Sequence, residues 1–459
     1  MSDGRHDIAQ NDAMLSVTAS SYAIARHSGE NEVVAVRARR RIDRTRFLRD
    51  VGSLAARLLP HKYVVNLCAD RYHFTVGLAA ALCREQISLL PPSDAPGVLK
   101  ALGIDHPDLY ALTDAGRAPF PNLVFPCDLE DDGVAPEMPV LPGPQPAVVL
   151  FTSGSTGRPT AVPKSWGTLV RSALAAGDRL GISALRGATI ISTVPHQHSY
   201  GLESIILLGL QHGLVIDAGR PFYPSDIRAA IEAAPRPRIL VTTPLHIRVL
   251  VAEADGMPEV DLVLSATAPL SVELAGEAEA CFRARLIEIY GCTEAGQVAT
   301  RRTVHEHHWH CLDGVTLHED ERGTWAGGSS VEGVTLLHDM IERSGPAKFL
   351  LGDRSTDLVD IAGKRTSLAH LNHQLLSIKG VRDGVFFVPD PDARHVARLM
   401  ALVVAPGLQS ETILRELRER IDAAFLPRPL VCADELPRNA LGKVSRQTLL
   451  QLAARGGSR

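Results

Sequence analysis

From about residue 33 onward, short runs of β-branched and apolar residues alternate with helix-period segments, and no other feature constrains the fold as much. VVNLC (64–68) precedes the apolar helical stretch FTVGLAAALCR (74–84). AVVLFTS (147–153), ATIISTVP (188–195), GLVID (213–217), RILVTT (238–243), VDLVLSA (260–266) and RLIEIYG (285–291) continue the pattern, with helical segments such as SDIRAAIEAA (225–234) between them. A strand that is apolar on both faces needs cover on both. Helices inserted between consecutive strands supply that cover, which predicts an α/β fold with parallel sheets coated by helices.

At roughly 100–200 residues per domain, 459 residues suggest two to four domains. No repeat of 20–50 residues is visible. The texture changes near residue 352, where the charge-rich stretch GDRSTDLVDIAGKR (352–365) begins. A helix over 368–378, strands over 384–388 and 400–404, an amphipathic helix over 411–425 and a terminal helix over 445–455 follow. These make a small α+β unit. The expected division is 1–353, a hinge at 354–357, and 358–459.

Charge excludes some classes. Lys and Arg total 48 against 52 Asp and Glu, a net charge of −4, so no basic excess points to nucleic acid or an anionic membrane. Seven cysteines, odd in number and without a CxxC, favour neither a disulfide framework nor a zinc site, and fit a reducing, cytoplasmic setting. The polar start MSDGRHDIAQND has no apolar core of a secretory signal. The most apolar stretch, 201–216, carries Glu203, Gln211 and His212; it is too short and polar to span a bilayer and reads as a buried helix.

Three motifs carry chemistry. FTSGSTGRP (151–159) follows an apolar strand. Glycines let backbone N–H groups turn toward an anion and the hydroxyls add donors, so the loop suits a polyphosphate. It is not a Walker loop, because no Gly-Lys-Ser/Thr follows. YGCTE (290–294) places a carboxylate beside a hydroxyl at a strand end, where it can hold Mg²⁺ and a phosphate oxygen. PRNALGK (437–443) sets a lysine after a Pro/Gly-rich turn. Each alone is a weak signal: a Gly/Ser/Thr run is often a linker, a loop Glu is usually solvated, and a lysine after a turn is usually on the surface.

In this order and spacing, the three resemble the AMP-forming adenylating superfamily of acyl- and aryl-CoA synthetases, nonribosomal adenylation domains and luciferases. The motifs cover about 145–450. The resemblance implies a large N-terminal domain of parallel sheets plus a β-barrel, and a small mobile C-terminal lid. It implies that Thr152, Ser153, Gly154, Ser155, Thr156 and Gly157 cradle the ATP phosphates, and that Thr293 and Glu294 touch the α-phosphate and hold Mg²⁺. Tyr290 and Gly291 belong to the nucleotide site. SATAPLS (265–271) is similar to the turn beside adenine, with Ala268 and Pro269 at the usual positions. PHQHSYG (195–201) is similar to the segment whose histidine, here His198, lies next to the carboxylate site. Asp339 is the choice for the ribose hydroxyls, with Arg354 an accessory contact and Asp353 the alternative. The resemblance implies that Lys443 is the catalytic lysine.

Two positions depart from the pattern. Thr160 stands where a lysine usually follows the phosphate-loop proline, with Lys164 four residues on, and Thr356 stands at the hinge position usually held by Asp or Lys. The implied reaction converts a carboxylate to an acyl-adenylate, releases pyrophosphate, and passes the acyl group to the thiol of CoA or of a phosphopantetheinyl acyl carrier protein. The histidine-rich PHQHSYGLES, VNLCADRYHFTVGLAAALCR and IAGKRTSLAHLNHQL resemble short aryl-acid ligases of xanthomonadin and aryl-polyene pigment pathways, which implies a hydroxybenzoate-type acid. His196, His198 and Tyr200 are then pocket candidates. A fatty-acid or amino-acid ligase, a luciferase-like oxygenase and a non-catalytic nucleotide-binding relative remain alternatives. HEHHWHC (305–311) reads as a solvated loop rather than a metal site.

Overall fold

The computed structural model describes residues 20–92, 94–114, 118–125, 137–152, 160–253, 256–354, 358–361, 364–389, 399–438 and 444–456. The expected alternation becomes two helix-covered sheets. The first has six strands, in the order Thr160–Ser165, Pro146–Thr152, Ile87–Leu90, Tyr63–Asn66, Leu109–Thr113, Asn122–Val124. All pair in parallel except the edge strand Thr160–Ser165, which runs antiparallel to Pro146–Thr152. Helix Arg71–Cys83 packs against it with almost every side chain buried, as its all-round apolar sequence requires. Asp70 starts that helix by accepting from the Tyr72 and His73 amides.

The second sheet has eleven strands. Its centre is parallel: Arg285–Cys292, Leu262–Ser265, Arg238–Thr242, Thr189–Ser192, Val215–Asp217 and Val33–Arg37 lie side by side in that order. An antiparallel arm extends it through Gly296–Arg301, Trp309–Cys311, Lys348–Arg354 and Asp339–Arg343. Beside the arm lies a three-stranded antiparallel sheet, Thr316–Asp320, Gly323–Gly327 and Thr335–Leu336. Arm and small sheet share one apolar core of Val298, Trp309, Leu317, Ala326 and Phe349. The resemblance implies a β-barrel; the antiparallel strands found here belong to two sheets, the arm and the three-stranded sheet.

The buried helix expected over 201–216 ends sooner. A turn at Ser199–Gly201 leads into a π-helical segment, Leu202–Leu207, then Leu208–His212, and Gly213 in the left-handed conformation (φ +63°) turns the chain into strand Val215–Asp217. A π segment inside a helix often marks a functional position, because the wider turn re-aims side chains.

After residue 358 come a hairpin, Leu358–Ile361 with Lys364–Ser367, and a three-stranded sheet of Asp383–Phe387, Met400–Val404 and Leu430–Cys432. Helices Leu368–Leu376, Ser410–Arg418 and Arg446–Gly456 cover it. The helix expected over 411–425 stops at Arg418, and Asp422 caps a separate 3₁₀ turn, Ala423–Phe425, by accepting from the Ala424 amide. Among the described residues, no helix is long and apolar enough to cross a membrane.

Candidate active site

The carboxyl ends of the central parallel strands share one edge of the large sheet, because Ser192 is level with Val241, Thr242 with Ser265, and Ser265 with Glu288. Past that edge lie the segments 195–201, 265–271 and 290–294. Ligands in open α/β sheets bind at this edge, since the loops leaving parallel strands are free to vary there.

Strand Arg285–Cys292 turns tightly into Gly296–Arg301, with Cys292 opposite Gly296 and a bulge between Tyr290 and Gly291. Thr293 and Glu294 occupy the turn, both half-buried. Gly291 is required: a Cβ there would lie 2.2 Å from the Gly296 carbonyl oxygen. The Tyr290 hydroxyl donates to Asp339 Oδ2 at 2.8 Å, and its ring packs against Trp309 and Phe349. Asp339 in turn sits opposite Arg354 in the strand register. Tyr290 and Asp339, separate in sequence, thus meet through their side chains, and the backbone of Arg354 pairs with that of Asp339.

Ala268 and Pro269 are exposed just past strand Leu262–Ser265. Thr267 holds the left-handed conformation (φ +81°), uncommon for a β-branched residue. Its hydroxyl and that of Ser265 are buried without a hydrogen-bond partner. Strain and unsatisfied donors side by side are features that accumulate where a ligand binds.

His198 stands at the head of the Ser199–Gly201 turn, half-buried, and accepts the Leu202 amide on its carbonyl at 2.8 Å. Burial lowers its pKa and the Arg220 cation adds to the effect, so the imidazole is neutral near pH 7. The other two pocket candidates spend their polar atoms internally. His196 is fully buried, with Nε2 3.0 Å from the Cys68 carbonyl oxygen, and the Tyr200 hydroxyl donates to the Thr242 carbonyl at 3.1 Å.

Sequence reasoning missed the residues that fasten these segments together. Lys164, on the strand leaving the phosphate loop, is buried and donates from Nζ to the Glu294 carbonyl at 2.5 Å. Glu203, in the π segment after His198, accepts from Ser199 Oγ at 2.5 Å and from the Gln297 amide at 3.0 Å. Arg71 is fully buried and donates to the carbonyls of Ser192, Val194, Asp217 and Gly219, pinning two strand ends. One signal was available: single charges at 164 and 203 interrupt apolar runs, and a buried charge must be paired or hydrogen-bonded.

Thr152 ends strand Pro146–Thr152 opposite Thr160 in the neighbouring strand, so the two ends of the segment expected to bind phosphate lie side by side. Ser153, Gly154, Ser155, Thr156 and Gly157 lie outside the described residues, as do Lys443 and residues 355–357 of the expected hinge. The segment 305–311, expected as a solvated loop, is one only as far as His308: Trp309–Cys311 is a strand with Trp309 and Cys311 buried, because it pairs inside the large sheet, and His310 Nε2 lies 2.7 Å from Glu306 Oε2. Among the described residues no group of three or more His, Cys, Asp or Glu is placed to hold a metal ion. The lone Glu294 still suits Mg²⁺, which keeps several waters and takes one or two carboxylates plus substrate phosphates.

Residues 61–321, more than half of the chain, match the model of the AMP-binding enzyme family. The chain belongs to that family. This AMP-binding enzyme is 26% identical to a 4-coumarate–CoA ligase of Rhodobacter capsulatus, over 51% of this chain and 58% of that protein, so it spans less than two thirds of that relative. It is 27% identical to a 4-coumarate–CoA ligase of Halorhodospira halophila over 65% of this chain and 74% of that one. It is 20% identical to a 3,4-dihydroxybenzoate–[aryl-carrier protein] ligase of Bacillus anthracis, over 66% and 74%. The fold matches O-succinylbenzoate coenzyme A synthetase of Bacillus subtilis in complex with AMP, with a TM-score of 0.76 at 17% identity over 91% of this chain and 95% of that one. ATP-bound MatB of Rhodopseudomonas palustris matches equally well, with a TM-score of 0.76 at 17% identity over 93% and 96%. The resemblance to the adenylating superfamily and its α/β architecture are borne out.

Proposed function

We propose that this AMP-binding enzyme activates an aryl carboxylic acid with ATP and transfers it to the thiol of CoA or of an acyl carrier protein. The observation that carries the proposal is convergence. Lys164, just past the phosphate loop, touches Glu294, and Glu203, just past His198, holds Gln297, so three motif segments far apart in sequence meet at one sheet edge. The names of the relatives, two coumarate ligases and a dihydroxybenzoate ligase, support an aryl acid.

In the first step a carboxylate oxygen attacks the α-phosphorus of ATP, the bond to the bridging oxygen breaks, and pyrophosphate leaves. Charge crowds at the α-phosphate, and donors aimed there lower the barrier. Thr293 offers a hydroxyl to a phosphate oxygen and Lys443 an ammonium. Asp339, held by Tyr290, accepts from the ribose hydroxyls, with Arg354 beside it. Thr152 and the loop 153–157 supply N–H and hydroxyl donors to the phosphates, and Ala268 and Pro269 line the adenine. Mg²⁺, held through Glu294, neutralises phosphate charge when bound. His198 presents a neutral imidazole to the carboxylate. In the second step a thiolate attacks the acyl carbon and AMP departs.

In this reading Lys443 belongs to a separate unit that turns about a hinge at 354–357. Among the described residues, the two apolar cores beyond 358 draw on no residue before it, which suits a lid that moves as a body. The test is carboxylate-dependent exchange of labelled pyrophosphate into ATP across aryl, fatty and amino acids. Exchange with hydroxybenzoate-type acids that falls roughly 10²–10³-fold in Lys443→Ala supports the reading. Exchange with fatty or amino acids alone refutes the aryl assignment, and no exchange with any acid refutes adenylation.

A further inference from the structure

We infer that Lys164 and Glu203 are positioning residues: a buried charge pair that sets the Thr293–Glu294 turn from beneath and so determines how tightly Mg²⁺·ATP is held. The inference rests on the adenylation reading above and deepens it.

Lys164 and Glu203 are only 3% and 4% exposed. Together they hold the turn at two points. Lys164 Nζ donates to the Glu294 carbonyl at 2.5 Å, and Glu203 Oε2 accepts the Gln297 amide at 3.0 Å. The turn is therefore held at Glu294, its second residue, by a cation and just past its end, at the Gln297 amide, by a carboxylate. The two charges also act on each other: Glu203 opposes the lowering that burial imposes on the Lys164 ammonium, and Lys164, after the Ser199 hydrogen bond, opposes the raising that burial imposes on the Glu203 carboxyl. Ser199 Oγ at 2.5 Å and Ser172 Oγ at 3.5 Å complete the carboxylate's partners. Gly296, at φ +79°, lets the backbone run close to that carboxylate, since a Cβ there would lie 3.2 Å from Glu203 Oε2. Next door, Gln297 Nε2 donates to Ser204 Oγ at 3.0 Å.

Two ions taken out of water are costly, and an apolar pair of similar volume often serves stability as well or better. Their use here is geometric. They tie the strand leaving the phosphate loop and the helix after His198 to one tight turn, three segments that must keep register for a triphosphate to fit. Thr160 stands where the resemblance places a lysine, and Lys164 brings a cation into the same strand, directed at the turn instead of at solvent.

Lys164→Met alone strands a buried carboxylate, so the informative protein is the full-length double variant Lys164→Met/Glu203→Gln, which removes both charges and keeps the volumes. Three quantities are compared with wild type: melting temperature, amide hydrogen exchange of 291–298, and calorimetric affinity for a non-hydrolysable ATP analogue with Mg²⁺. The expected result is a melting temperature within a few degrees, at least tenfold faster exchange at 291–298, and at least tenfold weaker nucleotide binding. In pyrophosphate exchange the KM for ATP rises at least tenfold while that for the acid moves less than twofold. Ser199→Ala, which removes one hydrogen bond to Glu203 and no charge, shifts ATP affinity in the same direction by about threefold and serves if the double variant does not fold. Nucleotide affinity within twofold of wild type in the folded double variant, or in Ser199→Ala if that variant stands in, overturns the inference. Wild-type protein that binds no Mg²⁺·ATP overturns instead the adenylation reading.

Discussion

Acid should weaken this protein through His196, by an amount the structure sets. The ring is fully buried, with Nε2 placed to donate to the Cys68 carbonyl at 3.0 Å and Nδ1 without a partner. A second proton would create a buried, unpaired donor and a charge near the Arg71 guanidinium. Burial first, then Arg71, lowers the pKa from 6.5 to about 3. The unfolded chain therefore takes up this proton before the folded one. Stability is intact above pH 6.5, declines as pH falls between 6.5 and about 3, and levels off below that. One pH unit in that window is worth about 1.36 kcal/mol, so going from pH 7 to pH 4.5 removes roughly 2.5 kcal/mol through this residue. His196→Gln keeps an N–H donor and does not titrate. Urea unfolding of both proteins at pH 7 and 4.5 measures the difference, since other groups titrate alike in the two and cancel. A wild type that loses about 2.5 kcal/mol more than the variant supports the reasoning. Equal losses within about 0.5 kcal/mol would refute it, because His196 would then be free to protonate in the fold.

Two further outcomes follow from the same contacts. Tyr290→Phe removes the hydroxyl that donates to Asp339 at 2.8 Å; a hydrogen bond to a charged acceptor contributes about 1.5–3 kcal/mol, so ATP affinity measured by calorimetry should fall at least tenfold. Gly201→Ala puts a Cβ 2.0 Å from the Pro195 carbonyl oxygen, a backbone atom that cannot yield cheaply; it should cost about 3 kcal/mol in chemical denaturation and lower exchange activity by shifting the His198 turn.

Much of the fold was legible because its elements are local. Runs such as RILVT and LVLS are apolar on both faces, and they form inner strands of the parallel part of the large sheet, with helices as cover. Helix Ser410–Arg418 shows where local reading overreaches. Its apolar spacing continues past Arg418, but Asp422 caps a new turn and breaks the run. The polar side chains near His198 were the harder part. His196, His198 and Tyr200 are all pocket candidates in PHQHSYG, yet His196 Nε2 and the Tyr200 hydroxyl are spent on carbonyls brought from residues 68 and 242.

The sequence by itself determined the strand–helix alternation, the three motifs and their order, because periodicity and short motifs are properties of neighbouring residues. Tertiary structure alone decided that Lys164 would meet Glu294, that Glu203 would hold Gln297, and that Asp339 would stand against Tyr290. These pairs are 130, 94 and 49 residues apart, and nothing local in a chain specifies which distant group answers a buried charge. That choice is made when the strands take their places in the sheet. An unpaired ion or amide is then too costly to leave, and the groups that reach it become its partners.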